Sequence, residues 1–236
     1  MLGLGNSLTG GNVSEVEFVT PADLPGIIHW YKHDTGLEES DTSTPENGED
    51  VTKWADQIGS EHLVGTSNLP TYTSATGTLN FGTNSANVLT ITSGTSSDIT
   101  LDGDFAIYVR IKFAGTPNTT DIFFKDDDSL NNFFRANSAT LIRAKITSGS
   151  LNWTVPTMGT SAFYNIGIER TGGGNNTRVY LDGTESSTGA LAVPNDWLID
   201  TLKGGKADEF STLIIVKGSA LSTTHRAALQ TYLAAL

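Results

Sequence analysis

The chain of 236 residues contains no cysteine. Neither a disulfide nor a thiolate metal site is available, so stability has to come from packing and hydrogen bonding. Positive charge is scarce: 14 Lys and Arg stand against 26 Asp and Glu, a formal net charge of −12. The basic residues form no run along the sequence. Nucleic-acid phosphates and anionic membranes both require clustered Lys and Arg, so neither partner is expected. No apolar stretch approaches the ~20 residues of a membrane span. The opening, MLGLGNSLTGG, has neither a basic region nor a continuous apolar one, and no secretory leader is expected. With four histidines, no Ser/His/Asp order can be argued. No repeat of roughly 20–50 residues recurs, which argues against a solenoid or propeller.

What the chain does have is glycine, with 25 residues, and many Ser, Thr and Asn. Short apolar runs alternate with turn-forming clusters, the pattern of a sandwich or barrel. The clearest strand is Phe105 to Phe113. Phe105, Ile107, Val109, Ile111 and Phe113 share one face, and Ala106, Tyr108, Arg110 and Lys112 the other. Further strands are expected at 27–31, 79–81, 88–92, 121–125, 132–136, 140–146 and 212–217. Phe163 to Arg170 and Thr177 to Leu181 flank a Gly-rich turn and read as a hairpin, with Asp182-Gly183 as the next turn. The convincing helix is the last segment. Ser222 can cap it, and Leu229, Tyr232, Leu233 and Leu236 fall at i, i+3, i+4 and i+7. The expected division is an extended arm over residues 1–25, then one domain over 26–236.

The segments Trp30 to Leu37, Val51 to Gly59 (with Trp54 and Asp56) and Leu69 to Tyr72 resemble the opening of laminin-G-like, concanavalin A-like domains. There, a Trp strand precedes a W-x-D-x-S-G turn and a Pro-Tyr strand; here Ile58 takes the Ser position. Tyr164 to Arg170, followed by Val179-Tyr-Leu-Asp-Gly183, is similar to the family's later strand pair. The shared order implies an all-β fold, a two-sheet antiparallel jelly-roll β-sandwich of the concanavalin A-like kind with a short C-terminal helix. Core positions are expected at Phe105, Ile107, Val109, Ile111, Trp30, Ile166, Ile168, Leu213 and Ile215, in sheets of about five to seven strands.

Candidate sites follow from side-chain chemistry. Trp153 and Trp197, with Asn152 and Asn195-Asp196 beside them, are candidates for stacking on a sugar ring; burial in core or interface is the competing reading. Asp126, Asp127 and Asp128 form the densest acidic run. A sandwich loop can offer Ca²⁺ such carboxylates, and related laminin-G-like domains raise that expectation; a solvated hairpin tip is the alternative. Asp102 and Asp104 are a weaker candidate of the same kind. His29 and His33 are four apart, but Lys32 lies between them, and a strand-end pair in packing or solvent is the expected role. Glycosidases of this fold need two carboxylates across a cleft. No such period-2 pair occurs in the core strands, and Glu15 and Glu17, which have the spacing, lie in the arm. No enzymatic activity is therefore expected.

The opening residues also resemble those of virion structural proteins of marine tailed phages. That resemblance implies a virion location, as a capsid-decoration, tail or fibre component, with other virion proteins or further copies of the chain as partners. Leu2, Leu4 and Leu8 would then be the apolar contacts of a docking arm. A carbohydrate-binding, host-adhesion module that recognises a surface glycan is the second expectation, and a polysaccharide hydrolase the third.

Overall fold

The computed structural model describes residues 20–82, 86–91, 99–126, 131–147, 149–174, 176–192, 195–204, 208–219 and 221–236. Leu2, Leu4, Leu8, Glu15, Glu17, Asp127 and Asp128 lie outside the described residues. The strands run in chain order as β1 (Ile27–Tyr31), β2 (Leu37–Glu38), β3 (Lys53–Trp54), β4 (Leu63–Val64), β5 (Thr71–Thr73), β6 (Thr78–Asn80), β7 (Leu89–Ile91), β8 (Ile99–Leu101), β9 (Phe105–Lys112) and β10 (Ile122–Lys125). They continue as β11 (Phe133–Ser138), β12 (Leu141–Ile146), β13 (Gly149–Thr154), β14 (Phe163–Thr171), β15 (Asn176–Leu181), β16 (Thr184–Glu185), β17 (Trp197–Ile199), β18 (Thr201–Leu202) and β19 (Glu209–Lys217). Among the described residues, one α-helix, α1 (Thr223–Ala234), follows the strands.

The strands form an antiparallel β-sandwich. One sheet has eight strands, ordered β16-β15-β14-β9-β19-β6-β5, with β1 beside the second half of β19. The other has nine, ordered β13-β12-β11-β10-β18-β7-β4-β3-β2. A separate β8-β17 pair lies apart from both. The sheets exceed the expected strand count because many members are only two or three residues long, too short to leave an alternating pattern in the sequence.

Alternation along β9 sets the layers. Phe105, Ile107, Val109 and Ile111 face the core between the sheets, with Ile166, Ile168, Leu213 and Ile215 from β14 and β19. All the expected core positions are buried, but Trp30 lies in a second layer, on the opposite face of the eight-stranded sheet. There Ala106, Tyr108, Ile214 and Val216 meet Leu229 and Leu233 of the helix, and Trp30 meets Tyr232 edge-on at 6.1 Å between ring centroids. The Ser222 hydroxyl caps the helix by accepting from the His225 N–H at 3.1 Å. Thr20 to Pro25, counted with the arm in the sequence reading, include a 3₁₀ turn at Pro21–Asp23 and bury Pro21 and Leu24.

A buried ion pair fastens the helix. The Arg226 guanidinium donates to both Glu169 oxygens, Nε at 2.8 Å and Nη2 at 2.6 Å, and the Tyr108 hydroxyl donates to the same carboxylate. The hydrogen bonds to Glu169 hold Arg226 above the ordinary guanidinium range. Gly167 makes the approach possible, since a Cβ there would fall 2.2 Å from Tyr108 Cε1. Beyond β15, Asp182 and Gly183 turn the chain with φ of 48° and 79°, the backbone of a two-residue hairpin.

Candidate functional site

The helix covers only one end of the outer face of the eight-stranded sheet. Beside its C-terminal half, a recess of about 450 Å³ opens, lined by Arg110, Phe163, Asn165, Asp182, Gln230, Thr231 and Ala234. Register explains how residues so far apart converge. Arg110 on β9 stands directly opposite Asn165 on β14, both on the face that alternation turns away from the core. The Asn165 N–H donates to Asp182 Oδ1 at 2.8 Å, and the Asp182 N–H donates to the Asn165 carbonyl at 2.9 Å, which fixes the carboxylate beside the amide. Arg110 stacks on the Phe163 ring at 4.3 Å and donates from Nε to the Leu233 carbonyl at 2.8 Å, joining sheet to helix end.

Polar atoms on two residues that line this recess are buried without protein partners. They are Asn165 Oδ1 and both amide heteroatoms of Gln230. Leaving such groups unsatisfied costs about 1–3 kcal/mol each, so water or a ligand that reached them would stabilise the arrangement. Burial raises the Asp182 pKa, against the opposing effects of its hydrogen bond from Asn165 and of the Arg110 charge. Burial likewise lowers the Arg110 pKa, opposed by Asp182. The recess thus offers acceptors at Asn165, Asp182 and Gln230 and donors at Arg110 and Gln230, beside the Phe163 ring and Ala234.

The tryptophan candidates are placed elsewhere. Trp153 is fully buried; it faces the core on β13 opposite Ile142, and its Nε1 donates to the Gly189 carbonyl at 3.2 Å. Asn152, its neighbour, points to the opposite face and accepts from Arg143 Nε at 2.7 Å. Adjacent residues on one strand cannot line one site. Trp197 is also fully buried, with its ring packed among Phe105, Phe124 and Phe134 at 5.2–6.2 Å. Asn195 and Asp196 are exposed in the turn before it, and the Asn195 carbonyl accepts from Arg170. The sugar-stacking expectation for these residues is therefore corrected, because both indoles are core residues.

Asp126 is no solvated hairpin tip. It is buried, and its Oδ2 accepts from Asn132 Nδ2 at 3.0 Å. Among the described residues, no three His, Asp or Glu side chains gather as a metal site. Asp102 pairs with Lys217 at 2.7 Å, and Asp104 accepts from the Gly173 N–H. His29 and His33 part company: His29 Nδ1 lies 2.7 Å from Asp56 Oδ2, and His33 Nδ1 lies 2.8 Å from Ser211 Oγ. Asp56, noted in the sequence only as part of the W-x-D turn, is a buried hub that also accepts from the Trp30 and Ile58 N–H groups.

The recess residues carried faint sequence signals. Arg110 stands on the polar side of the β9 alternation, and Asp182 sits in the Asp-Gly turn. Nothing local marked Asn165 or Gln230, whose meeting depends on where the helix docks.

No protein-family model matches the sequence, and no curated protein does. Solved structures share the fold at low identity. Trypanosoma rangeli sialidase aligns with 90% of this chain at a TM-score of 0.57 and 11% identity. The same enzyme in complex with sialic acid aligns at 0.56 and 10%. The binding domain of Paraclostridial Mosquitocidal Protein 1 aligns with 90% of this chain at 0.54 and 11%. The chain spans 34% of the first sialidase chain and 53% of the toxin domain. At such identities the likeness shows the fold alone. The virion resemblance rests on the opening residues, which lie outside the described ones, and none of these three neighbours is a virion protein.

Proposed function

We propose that the chain is a carbohydrate-binding β-sandwich module whose recess, between α1 and the eight-stranded sheet, receives a polyhydroxylated ligand. The observation that carries this reading is the set of unpartnered buried polar atoms on Asn165 and Gln230, two residues that line a recess together with Arg110 and Asp182. A sugar hydroxyl both donates and accepts. One hydroxyl can donate to Asn165 Oδ1 or the Asp182 carboxylate, and its neighbour can accept from Gln230 Nε2 or Arg110. An apolar ligand would leave Asn165 Oδ1 and the Gln230 amide unpaired. Both Arg110 and Lys112 lie over the Phe163 ring, so the ring supports the cations and recognition is by hydrogen bonding. Among the described residues, Asp182 is the only carboxylate lining the recess, whereas hydrolysis in most glycosidase families uses two; this supports binding without turnover. The fold likeness to a sialidase and to a toxin binding domain agrees with this reading as an analogy of fold.

The test is a panel of immobilised glycans followed by calorimetry on the best binder. Gln230→Ala is expected to weaken binding about tenfold or more, consistent with loss of hydrogen bonds worth about 1.4 kcal/mol, with the thermal melt unchanged or raised because an orphaned amide is removed. Binding should also weaken as pH falls, starting above the ordinary aspartate range of about 4: burial raises the Asp182 pKa, and protonation removes an acceptor. Absence of glycan binding across the panel, or binding indifferent to Gln230→Ala, would overturn the proposal.

A further inference from the structure

The basic residues, scattered in sequence, are gathered by the fold. From Asn131 to Ile168 the chain has no Asp or Glu, although the protein carries 26 of them. Within that window β11, β12 and β13 form a meander at one edge of the nine-stranded sheet. Their inner-face residues Phe134, Ala136, Ile142, Ala144, Ile146 and Trp153 are buried in the core. Arg135, Arg143 and Lys145 alternate with them and therefore share the outer face.

Register brings the charges together. Arg135 stands directly opposite Arg143, Arg143 opposite Asn152, and Lys145 opposite Ser150. Like charges directly opposed across antiparallel strands destabilise a sheet, and each guanidinium's side-chain partners here are neutral. Arg143 Nε donates to Asn152 Oδ1 at 2.7 Å. Arg135 stacks on Phe133 at 4.5 Å and donates to the Thr119 carbonyl and Asn137 Oδ1, while its buried Nε has no partner. Burial lowers the Arg135 pKa, and the Arg143 charge lowers it further. The fold thus sustains a repulsive arginine pair in a chain rich in carboxylates.

We infer that the outer face of β11–β13 is an anion-binding platform, whose ligand is an anionic polysaccharide lying across Arg135, Arg143 and Lys145. Sulfate esters and carboxylates share the required chemistry, a charged group with several acceptor oxygens. Asn152 and Ser150 stand in line to meet the intervening hydroxyls. Duplex nucleic acid fits less well, because it carries one charge per about 1.7 Å and the rest of this acidic protein repels so dense a polyanion. The platform is distinct from the recess: its residues belong to the other sheet.

The test measures binding of the full chain to sulfated dextran, carboxymethyl dextran and neutral dextran by biolayer interferometry. Binding to one or both anionic polymers and not to neutral dextran is expected, weakening with added salt; the two anionic arms show which charged group is preferred. The double variants Arg135→Gln/Arg143→Gln and Arg143→Gln/Lys145→Gln should each reduce binding at least tenfold while melting normally. Lys53→Gln, a basic residue near the opposite edge of the same sheet, should leave it unchanged. Gln230→Ala should also leave it unchanged, which separates this result from the fate of the recess. The inference is overturned if neither anionic polymer binds, if Lys53→Gln matches the double variants, or if duplex DNA binds more tightly than both.

Discussion

Replacing Arg226 by Met should damage this protein more than replacing its partner Glu169, and replacing both should repair most of the damage. The Glu169 side chain is 2% exposed and that of Arg226 is 19% exposed. Arg226→Met removes the guanidinium that lies 4.6 Å over the Tyr180 ring and strands a carboxylate under the helix, with the Tyr108 hydroxyl as its remaining side-chain donor. Breaking one side of a buried pair costs about 3–5 kcal/mol. At about 2–4 °C per kcal/mol for a domain of this size, the melting temperature should fall by roughly 10 °C. Glu169→Met leaves a more exposed guanidinium, which can turn to water, and an orphaned Tyr108 hydroxyl. That cost is nearer the 1–3 kcal/mol of an unsatisfied buried polar group.

The double variant removes both charges from a site already lined by Tyr108 and Tyr180, and hydrophobic replacement of a buried pair is often near neutral. Thermal melts and urea titrations of the four proteins close the cycle. Gln230 lies one helical turn past Arg226, so glycan affinity should fall in Arg226→Met and return in the double variant. Simple addition of the two single costs, or a larger loss from Glu169→Met than from Arg226→Met, would refute the account of helix docking.

Two further outcomes are expected. Gly167→Ala puts a methyl 2.2 Å from Tyr108 Cε1 and should cost about 1–3 kcal/mol through overpacking; an unchanged melt would show that Tyr108 moves aside freely. Asp56 is held below the ordinary carboxylate pKa: burial raises it, but the hydrogen bonds from His29, Trp30 and Ile58 outweigh burial. A depressed folded-state pKa adds stability above the unfolded value of about 3.9 that is lost as pH falls through the folded value. The stability gap between wild type and Asp56→Asn should therefore be constant from neutral pH to about 4 and narrow below it, and a gap that holds to pH 2 would refute this.

The sandwich was legible because its long strands obey a period of two. Phe105 to Phe113 announced both faces of β9, and the Gly-rich turn announced the β14–β15 hairpin; these strands fix the core. The C-terminal helix was legible for the same kind of reason, from a capping Ser and four apolar residues at helical spacing. Strands such as β2, β3, β4 and β18 were not, because two residues carry no period, and tertiary pairing alone makes them strands. Sites fared worse for a related reason. A tryptophan next to an asparagine suggests a sugar platform in one dimension, but within a strand the two must face opposite ways, so Trp153 and Asn152 could never have served together. Alternation, applied to β9 for the core, excludes that pair once 149–154 is read as a strand.

Charge shows the same limit in reverse. A net charge of −12 and basic residues without a run argued against nucleic acid and anionic membranes, yet net charge is a sum over the surface and binding is local. What sets the local field is which residues alternation turns outward and which strands the register lays side by side. Arg135 and Arg143 are eight positions apart in sequence and directly opposed in the sheet. The acid-free stretch around them was visible in the sequence, and its meaning depended on pairing. Recess and platform alike are assembled by register across strands and by helix docking, from residues whose individual surroundings in the sequence are unremarkable. The fold is therefore the more readable property of this chain, and its candidate binding surfaces become readable only when outward-facing positions of paired strands are compared with one another.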